Sequence, residues 1–547
     1  VSRTLILAQQ VWAGDPPTPD ADALILDGER IEWAGSREAI PGKAPKRPLD
    51  LGDAVVTAAF VDPHHHFCQG VAMHGWVDLT KARSSAEVIS RLRRAALSTP
   101  EGRWIVGWGY AEALIGRGHR LTRGDLDRVS SERPVLVNHR SMHSGIANSA
   151  ALARVGFGRQ TPRWPGGELE RELRGEPNGR AWERAYGVLL TAANRAELDA
   201  LGTGWTEAAH ALARGLLSEG VVAIGDAGVT PRELTLLVAA DLPIDVVAMP
   251  VGPRGLFATP DAALDGPKTG EDMGRVTVGP LKLFADGAER GCLRIPYPIA
   301  SRVIRGLGGG EGGNPLEPLR VLRPRPAPGA IRTGTPHYPP ERLRDMTEAA
   351  VSRGFQVAIH AIGNEGIRWA LEALEPAGGE GNRIEHALFA EPSEADRMAR
   401  AGITAVVQPQ HLSEYGELVR AAGLEEYLPP APLRRFLDAG VAMALSSDAP
   451  TAAWEPLRTM PVAVTRMTDQ GHVVAPEQAI TPSEALRAQT TAAARALGWT
   501  DRGALVSGQR ADFVVLSGDP FEGGAEVRET WVAGSRVYPE PGDRSIG

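Results

Sequence analysis

AVVTAAFVDPHHHF, residues 54–67, decides how the rest of the chain is read. Its first half is a continuous run of small and β-branched apolar residues, the pattern of a strand buried on both faces. Its second half closes that strand with Asp62, Pro63 and three histidines. Side chains at i and i+2 leave a strand on one face, so His64 and His66 point together while His65 points away. Two imidazoles side by side make half of a transition-metal site. The plain alternative is a solvated histidine tract like an expression tag, but a tag sits at a terminus rather than after a buried strand. His65 is read as a second-face residue, outside the ligand set.

Seven similar runs follow: VVAIGDA (221–227), PIDVVAMPVG (243–252), VTVGPLKLFADG (276–287), FQVAIHAIG (355–363), RIEHALF (383–389), ITAVVQPQH (403–411) and VAMALSSDAP (441–450). Helix-like segments separate them, which calls for parallel pairing. Eight such units predict an α/β fold, a TIM-like (β/α)8 barrel, with a doubly wound open sheet as the alternative. The polar residues favour the barrel. Nearly every run ends at its C-terminal side in His, Asp or Lys, where barrels carry their chemistry.

The two ends read differently. ADALILDGERIEWAGS alternates around the turn signal Asp27-Gly28, and GALVSGQRADFVVLSGD with EVRETWVAGSRVY closes the chain in the same style. Residues 1–53 and 500–547 are therefore expected to form a small composite β-sandwich domain beside a barrel over 54–499. Residues 68–215 are too long for one crossover and are expected to be an inserted subdomain after the first strand. Residues 300–337, dense in Gly, Pro and Arg, are read as a lid or a disordered excursion.

Composition excludes several roles. Lys+Arg is 59 against Asp+Glu 67, a net charge of −8, which offers no basic field for nucleic acid or an anionic membrane. Two cysteines build no disulfide framework. No apolar run approaches the roughly 18 residues of a membrane span, and the first residues do not read as a signal peptide. A cytoplasmic location is expected.

His360 ends the fifth run, His386 stands in the sixth and Asp448 ends the eighth. A lone His after a strand is an ordinary polar contact; four His and an Asp at the strand ends of one barrel are most simply a metal site. Lysine usage adds a separate clue, because the chain has 59 basic residues and only five are Lys: 43, 46, 81, 268 and 282. Lys282 nevertheless sits inside the apolar strand GPLKLFADG, where a long cation is costly. A buried lysine can lose its proton, which arginine cannot, and a neutral amine can take up CO2 as a carbamate able to bridge two cations. An ion pair with Asp286 is the alternative.

The order Asp-x-His-x-His, Lys, His, His, Asp resembles the amidohydrolase superfamily of metal-dependent hydrolases. HSGIANSAAL (143–152), GGELERELRGEPNGRAWE (166–183), KLFADGA, VAIHAIGN, RIEHA, SSDAP and GQRADFVVL resemble the amidohydrolase family 3 branch, which includes N-substituted formamide deformylases. The resemblance implies a barrel flanked by a composite β-sandwich, zinc as one or two divalent ions, and hydrolysis of amide or other C–N bonds. It implies that His64, His66 and Asp448 bind one metal, and that His360 and His386 bind a second with carbamylated Lys282 bridging. It makes His143 a substrate contact. The strand-four loop DGAERGCLRIPY lacks the family's serine-rich stretch, and SSD replaces GSD before the last ligand, which leaves the substrate open. Cys68 and Cys292 lie near the metal motifs and are read as small buried hydrophobes rather than zinc ligands.

This reading expects metal-assisted hydrolysis with Asp448 as general base and His143 hydrogen-bonding the substrate. Trp108, Tyr110 and Asn148, in the insertion, are candidate pocket residues. A heterocyclic-amine deaminase and a non-catalytic scaffold are the competing readings. The expected partner is a small-molecule amide, with the chain as a homodimer and neither nucleic acid nor membrane involved.

Overall fold

The computed structural model describes residues 3–540 except 44, 46, 113–119, 254–263, 302–321, 414 and 422. The apolar runs become short, largely buried parallel strands. Phe60–His65, Val221–Val229, Asp245–Pro250 and Val276–Val278 pair in that order as one four-stranded sheet. Leu281–Phe284, Val357–Ala361, Arg383–His386, Thr404–Val407 and Met443–Leu445 make a second, five-stranded one.

Strand pairing thus gives two open parallel sheets, where the sequence predicts one closed ring. The physical reason lies in the fourth run. Pro280 has no N–H to give, and Gly279 turns its own N–H to Ala248 O at 2.7 Å. The chain therefore leaves one neighbour at Val278 and joins another at Leu281, so the run is two strands. A single parallel bridge, Val251 to Lys282, links the sheets across this break. At the opposite seam the loops after the last and first strands are stitched together: Asp448 N–H donates to His64 O and His66 N–H to Ala449 O, both at 2.8 Å. The buried carboxylate of Asp62 takes the Ser447 N–H and hydroxyl across the same seam.

The first run also splits. Val55–Ala58 lies in the sheet of the chain ends, between Phe513–Leu516 and Arg3–Gly14, and only from Phe60 does the chain enter the parallel sheet. Both strands are buried on both faces, so no polar residue marks the switch. The end sheet has eight strands, drawn from residues 3–58 and 513–538, and includes the hairpin around Gly28 that pairs Asp27 with Arg30.

Between the first two parallel strands lies a six-stranded sheet in the order Gly167–Arg171, Pro177–Glu183, Ser144–Ala147, Val135–His139, Ile105–Tyr110 and Val77–Asp78. It packs on the helix Ser85–Ser98 over its own core, with Leu79, Val88, Leu92, Leu126 and Val137 all buried. The helix Gly204–Ser218 instead packs with the parallel strands and serves as their crossover. Of the segment 300–337, residues 302–321 lie outside the described residues. Arg325–Ala327 and Ala330–Arg332 form a hairpin that, with Arg294–Pro296, makes a three-stranded sheet. No described helix is long and apolar enough to cross a membrane.

Candidate metal centre

The C-terminal ends of the parallel strands deliver His64, His66, Lys282, His360, His386 and Asp448 to one buried place. Hydrogen bonds decide which nitrogen each imidazole offers. His64 Nδ1 meets the Glu385 carboxylate and His66 Nδ1 meets Ala227 O at 2.6 Å, both acceptors only. His386 Nδ1 meets Gln408 Oε1 at 2.7 Å, and Gln408 has already spent its Nε2 on Ser446 Oγ. Each Nδ1 is therefore the N–H, and each Nε2 keeps a lone pair.

Those lone pairs converge. His64 Nε2 and His66 Nε2 lie 3.4 and 3.1 Å from Asp448 Oδ1. The rings of His64 and His386 are 4.9 Å apart, and those of His386 and His360 are 4.5 Å apart. Buried atoms that make no hydrogen bond mark the same spot: His64 Nε2, His360 Nε2 and Lys282 Nζ. A cluster of unspent donors in a dry interior is costly unless a cation ties it together, so the donor set fits a divalent metal. His64, His66 and Asp448 form one group of metal-capable atoms, and His386, His411 and Asp448 form another.

Burial pulls the Lys282 ammonium down to about 8, against the opposing fields of Glu385 and Asp448. The ion pair with Asp286 is not formed. The Asp286 carboxylate accepts the N–H groups of Cys292, Ile362 and Gly363, while Lys282 Nζ bonds to neither carboxylate. Cys68 and Cys292 are buried, and burial pushes both thiols well up.

From the inserted sheet, His143 lines the pocket beside the ligands, its ring stacked 5.0 Å from that of His360. Met142, Leu190, Phe284, Ile362 and Pro450 supply an apolar wall. The other candidates from the insertion lie elsewhere. Asn148 caps the helix Ser149–Arg154: its Oδ1 accepts the N–H of Val135 and Ala151, and its Nδ2 donates to Ser130 O and Arg133 O. Tyr110 is buried in the core of the insertion, and Trp108 packs against an adjoining cluster, so neither lines the pocket. Asn148→Ala is expected to cost about 2 kcal/mol or more, from the lost cap and the stranded donors, with metal content unchanged. Denaturant melts beside elemental analysis check this.

Sequence reasoning missed four residues of the site: His411, Glu385, Glu183 and His337. His411 lines the pocket with Nε2 3.6 Å from Asp448 Oδ2, and it ends the seventh run just as Asp448 closes the eighth. Glu385 orients His64, and its neighbour Arg383 is fully buried against it. Glu183 and His337 lie behind His143, joined to it through Glu183 Oε2 at 2.7 and 2.9 Å. The Glu183 carboxylate is lowered to about 2: burial acts to raise it, and the neighbouring imidazoles prevail.

The profile of the amidohydrolase family matches residues 48–538. N-substituted formamide deformylase of Arthrobacter pascens is 30% identical over 98% of this chain and 98% of its own. The structure of an uncharacterized metal-dependent hydrolase from Pyrococcus horikoshii has a TM-score of 0.69 at 22% identity, covering 95% of this chain and 98% of that one. A mutant atrazine chlorohydrolase from Arthrobacter aurescens, complexed with zinc and atraton, has a TM-score of 0.53 at 16% identity, covering 99% of this chain and 96% of that one. The match of nearly the whole chain shows that it belongs to the amidohydrolase family.

Proposed function

We propose that this chain is a metal-dependent hydrolase that cleaves the C–N bond of a small N-substituted amide or formamide. The observation that carries the reading is the set of imidazoles whose Nδ1–H groups are fixed outward, leaving Nε2 lone pairs turned to Asp448. The full-length likeness to a formamide deformylase supports the substrate class, and the apolar wall suits an uncharged N-substituent. The two parallel sheets with stitched seams support a (β/α)8 scaffold that starts at Phe60 rather than at residue 54, and the end sheet, Val55–Ala58 included, supports a composite β-sandwich from both termini.

In this reading His64, His66 and Asp448 hold one divalent ion, zinc by its taste for imidazole and carboxylate, and His360, His386 and carbamylated Lys282 hold a second. Bound there, the metal supplies a water acidified towards neutrality and a polarised carbonyl. Asp448 takes the proton of the attacking water and hands it to the leaving nitrogen, so that the amine departs neutral and the acyl group leaves as a carboxylate. His143 accepts the N–H of the scissile amide, a bond that strengthens as the leaving nitrogen takes up its proton. The neutral Lys282 amine adds to CO2, losing one proton, to give the carbamate.

Elemental analysis of protein grown with added zinc and bicarbonate tests this. About two zinc per chain, with amine released from N-alkylformamides, is the expected result. Lys282→Arg should then fall to about one, because a guanidinium cannot form a carbamate. Ammonia released from a heterocyclic amine, with formamides untouched, would replace the amide reading by the deaminase. A protein that rejects metal would overturn both.

A further inference from the structure

Behind His143 stands a group the proposed reaction has not used. Glu183 and His337 are completely buried, and His143 is nearly so. One oxygen, Glu183 Oε2, receives His143 Nδ1 at 2.7 Å and His337 Nε2 at 2.9 Å. Three distant segments meet here: the turn before Ser144–Ala147, the end of Pro177–Glu183, and the residue just ahead of Tyr338.

The placement is built rather than incidental. Glu183 holds φ 51 and ψ −127, a backbone region that costs a non-glycine residue about 1–3 kcal/mol. Its N–H donates to His143 O at 2.7 Å, so the two residues are also joined through the main chain. Gly287 leaves the space for its carboxylate, which a Cβ at that position would overlap. The His337 ring stacks on Phe284, a wall of the pocket, at 5.4 Å between centroids. A carboxylate only accepts hydrogen bonds, so His143 must carry its proton on Nδ1. Its Nε2 is then the ring nitrogen left for the pocket.

We propose that Glu183 is a positioning residue that, steadied by His337, fixes the tautomer and angle of His143 so that its Nε2 lone pair accepts the N–H of the substrate's leaving nitrogen. The proposal rests on the hydrolase reading above for its consequence, and on the geometry of the three residues for its existence. The direct N–H···O distances favour hydrogen bonding over a further metal in the same cluster, and the test includes that case.

The experiment uses the full, metal-loaded chain with N-butylformamide as probe. Glu183→Gln should lower kcat by roughly 100-fold with KM little changed and metal content intact. The decisive measurement is the double variant: His143→Ala with Glu183→Gln should be no slower than His143→Ala alone. Losses that multiply would overturn the proposal, because a merely structural role adds to the loss of His143. In ¹⁵N-histidine-labelled protein without substrate, a downfield Nδ1–H resonance should be lost in His143→Ala and move upfield in Glu183→Gln, whose neutral amide oxygen is the weaker acceptor. An unmoved resonance in Glu183→Gln would also overturn the proposal. So would a metal ion that Glu183→Gln removes. Should Glu183→Gln fail to fold, His337→Gln is read in the same cycle, and multiplicative loss there overturns it equally. A wild type that leaves the probe intact would defeat the formamide reading, and the resonance would still decide the three-residue arrangement.

Discussion

Asp448→Asn is expected to yield a folded, metal-containing protein whose kcat has fallen by roughly 10²–10⁴-fold. The side chain keeps its shape, and its backbone, at φ 57, lies where asparagine is tolerated as well as aspartate. What changes is proton affinity. Burial alone would raise the Asp448 carboxylate, but the surrounding imidazoles of His64, His66 and His386 hold it well below its ordinary range, so it is ionised at neutral pH. Its two oxygens are divided between tasks. Oδ1 faces His64 and His66, while Oδ2 accepts the Thr451 hydroxyl at 2.9 Å and lies 3.6 Å from His411. An amide preserves one acceptor and cannot take the proton of an attacking water or return it to nitrogen. Steady-state rates at matched zinc content decide the matter, and near-normal turnover would remove Asp448 as the base.

Much of this site was legible because strand geometry is local. The i, i+2 rule puts His64 and His66 together, and the run ends point to His360, His386 and Asp448. A buried lysine in a chain that otherwise prefers arginine singled out Lys282, which is indeed buried without a hydrogen-bond partner. The failures are equally physical. Two strands buried on both faces leave no polar mark where Val55–Ala58 gives way to Phe60–His65. Asn148 is a chemically apt pocket residue that the helix start at Ser149 consumes as a cap. Glu183 and His337 meet across 154 positions, a pairing no periodicity encodes.

Arg383→Met should cost about 3–5 kcal/mol of stability, the largest loss expected from any single change near the centre. Arg383 is fully buried and makes a forked pair with Glu385, while donating to Ala496 O at 3.0 Å and Pro63 O at 2.6 Å. It thereby joins the Arg383–His386 strand to the helix Thr491–Ala496 and to the strand that carries His64. Removing it strands the Glu385 charge in a dry interior with only His64 as partner. Replacing both members, Arg383→Met with Glu385→Leu, should recover part of the stability, since the lone charge goes with its partner. The double variant should not recover function. Glu385 is what holds His64 Nδ1–H, and losing such an outer partner typically weakens metal affinity by about 10–100-fold. Glu385→Gln tests the same link from the other side: an amide oxygen still accepts from His64, so metal affinity should fall less than in Glu385→Leu. Denaturant melts beside zinc titrations separate the two effects. If stability and zinc affinity instead recovered together in the double variant, the Arg383–Glu385 pair would be a structural tie alone, with no part in orienting His64.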